Sequence, residues 1–194
     1  MDSVDDFAQS LRLQTTIILL GMKHVGKTTL GQQFASRHQL SWIDMDEVIV
    51  DMARGSYHIE ARSARDVYLT QGKEGFQEIE TAAAKYLRVY CSRNQIIATG
   101  GGIADNPGAM LELTNTGIQI YLREHEDILF PRIMARGLPP FLDPKDPRAS
   151  FAELYRSRDA VYRAAADICV ELNGAGITEA LSMLEESVRG TLLC

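Results

Sequence analysis

Cysteine is scarce in this chain of 194 residues, and the three present, Cys91, Cys169 and Cys194, are odd in number and widely spaced. That excludes a disulfide framework and leaves no C-x-x-C pair for zinc or redox chemistry, so free thiols in a reducing compartment are expected. Basic charge is also short, with 20 Lys and Arg against 26 Asp and Glu, a net charge of -6 and a pI near 5.2. A phosphate backbone needs a basic face, so nucleic acid is excluded as the main partner and any phosphate site must be local. No apolar run approaches the ~20 residues of a membrane span. Asp2, Asp5 and Asp6 stand where a signal peptide would carry Lys or Arg. A cytoplasmic protein without a membrane partner is expected. The rest is ordinary: 45% hydrophobic and 24% charged residues suit a single packed domain over 1–194.

Strand and helix patterns alternate along that domain. Thr15 to Leu20 (TTIILL) is a β-branched, apolar run closed by Gly21, the pattern of a strand buried on both faces. Helices are predicted over 27–37, 45–53, 73–90, 126–136, 148–165 and 176–190, with strands over 41–44, 95–99, 117–122 and 167–172. The pattern is clearest over 73–90, where Phe76, Ile79, Ala83, Leu87 and Tyr90 recur every three or four residues. Pro131 removes a donor within helix 126–136 and is a site for a kink. Residues 137–147 hold four of the six prolines and are predicted as a loop. The alternation implies an α/β fold with a parallel sheet covered by helices on both faces.

Gly21-Met22-Lys23-His24-Val25-Gly26-Lys27-Thr28 fits Gly-x-x-x-x-Gly-Lys-Thr. Glycines there let backbone N–H groups curl around an anion while the next helix points its positive end at the same place. Lys27 can then reach the β- and γ-phosphates of ATP, and the Thr28 hydroxyl can sit on Mg²⁺. Gly21, Lys23, His24, Val25, Gly26, Lys27, Thr28 and Thr29 are therefore candidate nucleotide-binding residues, with His24 at a tolerant position and no catalytic role. The acid that usually ends a second apolar strand beside such a loop is missing, because Ile96-Ile97-Ala98-Thr99 runs into Gly100-Gly101-Gly102. Magnesium must find a carboxylate elsewhere.

Asp44-Met45-Asp46 offers two. Period-2 alternation at the end of the second strand would put both carboxylates on one face, at the sheet edge where ligands bind. One could sit near magnesium and the other accept the proton of an attacking hydroxyl. Asp44 equally suits a helix N-cap. The Gly100–Gly102 run suits either close approach of a polar ligand or a tight turn.

The order of these motifs, followed by a proline-rich loop and Tyr162-Arg163, resembles the shikimate kinase family from Thr15 to Arg189. The resemblance implies a three-layer α/β/α P-loop kinase fold with a five-stranded parallel sheet in the order 2-3-1-4-5. It implies transfer of the γ-phosphate of ATP to the 3-hydroxyl of shikimate, with ATP and Mg²⁺ as cofactors, by a monomer. Lys27 would bind phosphates, Thr28 and Asp44 would serve magnesium, and Asp46 would grip the shikimate hydroxyls and act as base. Gly100, Gly101 and Gly102 would line the acceptor site, and Arg163 would bind the carboxylate. The mobile parts would be a substrate-binding region at about 45–90 and a lid at about 136–148.

Two departures qualify the resemblance. The family's Phe-Arg-x-x-Glu stands here as Phe76-Gln77-Glu78-Ile79-Glu80, so the first carboxylate arginine is Gln77; just upstream Ser56 to Arg62 looks like extra sequence, and Arg62 or Arg65 could fill the arginine's place. The lid's Arg-Pro-Leu-Leu stands as Pro139-Pro140-Phe141-Leu142. Arg136, one turn earlier, is the candidate for stabilising the transferring phosphoryl group, and Arg132 for an adenine or phosphate contact. Another polyhydroxylated acceptor, gluconate-like or cyclitol, and a non-catalytic nucleotide-binding relative are the alternatives.

Overall fold

The computed structural model describes residues 16–91, 93–135, 137–139 and 141–192. Thr15, Arg136, Pro140 and Cys194 lie outside them. Five strands form one parallel sheet: β1 (Ile17–Leu20), β2 (Ser41–Asp44), β3 (Gln95–Ala98), β4 (Ile118–Arg123) and β5 (Ile168–Glu171), in the spatial order β2-β3-β1-β4-β5. The expected order 2-3-1-4-5 is therefore the one found. Every residue of β1 is fully buried, because helices cover both faces of the central strand.

Helix α1 (Lys27–His38) follows β1, α2 (Met45–Gly55) follows β2, and α3 (Ala64–Tyr90) precedes β3. A 3-10 turn (Ile103–Asp105) and α4 (Pro107–Thr114) lead into β4, α5 (Glu126–Met134) and α6 (Pro147–Ala165) into β5, and α7 (Ile177–Leu192) closes the chain. Gly31 of α1 has no room for a Cβ, which would fall 2.2 Å from the Trp42 ring. This close contact seats α1 over β2.

Three differences from expectation have local causes. α3 begins nine residues before the predicted 73, and Gly72, at φ 70 and ψ -173, breaks it at the predicted start. The leading turns are capped by Ser63, which accepts from the Asp66 N–H. The turn and helix over 103–114, too short for a clear 3.6 period, were not expected; Asn106 caps α4 by accepting from the Ala109 N–H, with Pro107 at its first position. α5 runs through Pro131 and ends at Met134 rather than 136.

Candidate active site

The parallel sheet brings the carboxyl ends of β1, β2 and β3 together, and the phosphate loop, the Asp44 turn and the glycine run leave from those ends. Thr99 joins two of them, donating through both its N–H and its hydroxyl to the Leu19 carbonyl. Gly21 and Gly26 take left-handed φ values of 145° and 109°. A Cβ at Gly21 would lie 2.6 Å from the Leu122 carbonyl oxygen, so glycine is required there by space as well as by φ.

Lys27 is buried at the start of α1, and its Nζ donates to the carbonyls of Gly21 (2.7 Å) and Met22 (3.0 Å). Burial lowers its pKa to about 8, while the negative charges of Asp46 and Asp44 work in the opposite direction. Lys27 and the two carboxylates thus share one electrostatic site.

The expected pairing of Asp44 and Asp46 through strand alternation needs correction. β2 ends at Asp44 and the helix begins at Met45, so the pleat does not extend to Asp46. The cap turn brings them together instead: Asp44 Oδ1 accepts from the Asp46 N–H at 3.0 Å. Burial and then the Asp44 charge raise the Asp46 pKa, offset in part by Lys27 and Lys23.

Each glycine of the run answers a different neighbour. A Cβ on Gly100 would stand 3.1 Å from Asp46 Oδ1 and 3.7 Å from Glu80 Oε1, and one on Gly102 would stand 3.4 Å from Arg158 Nη2. At Gly101 it would meet the Lys23 backbone N at 2.6 Å, so the phosphate loop itself packs on this turn. The turn therefore serves as the joint between the phosphate loop, the carboxylates and α6.

The guanidinium that reaches this joint is Arg158, not Arg163. Arg163 is spent on Asp159 and Glu171 at the surface beside β5. One residue before it, Tyr162 points inward and donates its hydroxyl to the Gly101 carbonyl at 3.1 Å. One helical turn earlier on the same face, Arg158 is buried, donates from Nη1 to the Gly101 carbonyl (3.1 Å), and forms a bidentate pair with Asp105 at 3.0 and 2.6 Å. Its guanidinium also lies 6.0 Å over the Phe141 ring of the proline-rich loop. The i, i+4 spacing of Arg158 and Tyr162 was the signal in the sequence that could have found it.

Gln77 donates to the Asp105 backbone carbonyl at 2.7 Å. Behind it, Glu80 is almost fully buried, and one oxygen accepts from Asn106 Nδ2 at 2.9 Å. Burial pushes Glu80 up to about 7, with the nearby charges of Asp46 and Asp105 adding to the shift and the Asn106 hydrogen bond opposing it. Arg62 and Arg65 line a cavity of about 580 Å³ together with Asp44, Asp46, Asp51 and Arg54. Arg132 lies 3.7 Å from the buried carboxylate of Glu124. Arg136 falls outside the described residues.

No helix among the described residues is long and apolar enough to cross a membrane. A family model described as shikimate kinase matches residues 23–188. The shikimate kinase of Aromatoleum aromaticum is 33% identical over 158 residues, covering 80% of this chain and 83% of that protein. That of Caldanaerobacter subterraneus subsp. tengcongensis is 30% identical over 173 residues, covering 89% and 94%. Among solved structures, the shikimate kinase of Acinetobacter baumannii in complex with shikimate superposes with a TM-score of 0.80 at 22% identity, covering 96% of this chain and 99% of that one. At that identity the likeness is one of fold.

Proposed function

The chain belongs to the shikimate kinase family, and on that premise we propose that it transfers the γ-phosphoryl group of ATP to the 3-hydroxyl of shikimate, giving shikimate 3-phosphate and ADP. The observation that carries the reading is the joint at Gly100–Gly102, against which Lys23 of the phosphate loop, the Asp46 carboxylate and the Arg158 guanidinium all pack. Donor loop, base and anion-binding group thus meet on one turn.

Backbone N–H groups of Gly21 to Gly26, with Thr28 and Thr29, hold the phosphates. Lys27 exchanges the Gly21 and Met22 carbonyls to which its Nζ donates for phosphate oxygens and stabilises the charge spread over the transferring group. Asp46 accepts the proton as the acceptor oxygen bonds to phosphorus and the bond from phosphorus to the ADP oxygen breaks. Arg158 takes the acceptor's carboxylate, the role the resemblance gave to Arg163, and Gln77 shapes that end of the site from behind Asp105.

Thr28 and Asp44 supply oxygen donors of the kind Mg²⁺ prefers, and Asp44 uses one oxygen for its cap, leaving the other for the ion or its water shell. When bound, the ion would neutralise charge on the β- and γ-phosphates. Arg132 is assigned to the nucleotide, and Arg136 to the transferring group on sequence position alone. Gly72 and Gly137, both at positive φ and with no non-neighbouring atom within 4 Å of where a Cβ would stand, suit hinges for a moving substrate-binding region over 45–90 and a lid over 136–148. The chain acts on a small molecule, as a monomer of the cytoplasm.

Coupled detection of ADP with Mg-ATP and millimolar shikimate tests the reading. Shikimate-dependent ADP release is expected; none, with ATP still bound, would overturn it. A second reading rests on Gln77 and on the Asp105 partner of Arg158, which together suit an uncharged acceptor better than an acid. It requires a cyclitol or other polyhydroxylated compound to exceed shikimate in kcat/KM.

A further inference from the structure

Arg158 is held as an anion receptor is held. It is buried, one nitrogen is fixed on the Gly101 carbonyl, and its fork faces the glycine run. The fork is nevertheless full. Asp105 occupies it with both oxygens, at 3.0 and 2.6 Å, in the geometry an incoming carboxylate would adopt.

The two partners differ in how firmly they are placed. The Arg158 side chain is 10% exposed and the Asp105 side chain 39%. Asp105 ends a single 3-10 turn, so its carboxylate can rotate into water while the arginine stays. Its backbone is pinned from the other side, where Gln77 donates to the Asp105 carbonyl at 2.7 Å. Gln77 thus holds Asp105 against Arg158.

We propose that Asp105 is a specificity-determining residue whose carboxylate pairs with Arg158 and must be displaced by an anionic acceptor, with Gln77 as its positioning residue. The proposal rests on the reading of the chain as a kinase of an acidic acceptor. Asp105 is an internal competitor: an acceptor with a carboxylate can exchange for it on the fork, whereas an uncharged acceptor gains nothing there. Releasing a partly exposed ion pair of this kind costs about five-fold in affinity, and more where the arginine is buried.

The test compares the full chain with Asp105→Asn and Asp105→Ala by calorimetric shikimate binding and by steady-state ADP release, with folding checked by thermal melting. Both substitutions are expected to lower the shikimate Kd and KM about 5- to 20-fold and to leave kcat within about two-fold, because Asp105 does not touch the reacting atoms. Gln77→Ala is expected to move KM in the same direction by less. A KM that is unchanged or raised in a folded Asp105→Asn protein overturns the proposal and assigns Asp105 to orienting Arg158 or to holding an acceptor hydroxyl, while wild-type turnover leaves the kinase reading intact. Turnover in the variant but not in the wild type supports the proposal and restricts the kinase reading. Neither binding nor turnover in any protein removes both.

Discussion

In the proposed site the phosphate loop is nine consecutive residues, Gly21 to Thr29, whereas the acceptor half takes Asp46 from α2, Gln77 and Glu80 from α3, Asp105 from a 3-10 turn and Arg158 from α6. The first needs only a strand, a turn and a helix in sequence, and its glycines are set by backbone conformation and a neighbouring carbonyl. The second exists only after four elements have packed around the Gly100–Gly102 joint. A local motif tolerates little variation, because one backbone must curl around one anion. An assembled site can change a member and compensate from another element, and Gln77, where the resemblance expects an arginine, is the position at which that would apply.

The largest effect that would break this comparison lies at the junction of the halves. Asp46→Asn is expected to lower kcat by about 10²- to 10⁴-fold while leaving ATP affinity nearly unchanged in titration calorimetry; unchanged turnover would remove Asp46 as the base. Glu80→Gln separates stability from chemistry on the acceptor side. In the folded protein Glu80 keeps its proton up to about pH 7, but the unfolded chain releases it near 4.5. The folded state therefore holds more protons between those values, and stability falls as pH rises through that window. Melting curves should show a flatter pH dependence over pH 4.5–7 for Glu80→Gln than for the wild type.

On the donor side, the phosphate contact proposed for Lys27 requires its charged form, and burial holds its pKa at about 8. Above that pH, ATP binding should take up a proton and weaken by at most about ten-fold per pH unit, one proton being the limit. Calorimetry in buffers of different ionisation heat measures the uptake directly. The smallest effect concerns Arg62 and Arg65. If Arg158 is the anion receptor, replacing either with Ala should change the shikimate KM by less than about five-fold; a larger change would move the carboxylate site into the cavity they line with Asp46.

The alternation of strands and helices and the phosphate loop were legible because each depends on local patterns, apolar runs, their spacing and glycines at fixed offsets, whereas the strand order came only with the family resemblance. Arg158 was not, since Tyr162-Arg163 carries the resemblance and only the helix phase shows that Tyr162 and Arg158 face inward while Arg163 faces Asp159 and Glu171. Asp105 was invisible for a different reason. Its role comes from a single short turn with no periodicity of its own, pinned by Gln77 across a gap of 28 residues. Of the two readings of Asp44, the helix N-cap is the one found, and that cap turn, rather than the strand pleat, brings Asp46 to it. The function of Gly101 was half foreseen: close approach does demand glycine there, but what approaches is the Lys23 backbone.

The proposed acceptor site stands on Arg158 as the group that grips a carboxylate. The most direct measurement is the ratio of kcat/KM for shikimate to that for its uncharged carboxamide, in the wild type and in Arg158→Met. A charge-assisted, buried contact predicts a ratio of about 10 to 150 in the wild type, falling close to one in the variant. A wild-type ratio near one, or a ratio that survives the substitution, would contradict the account.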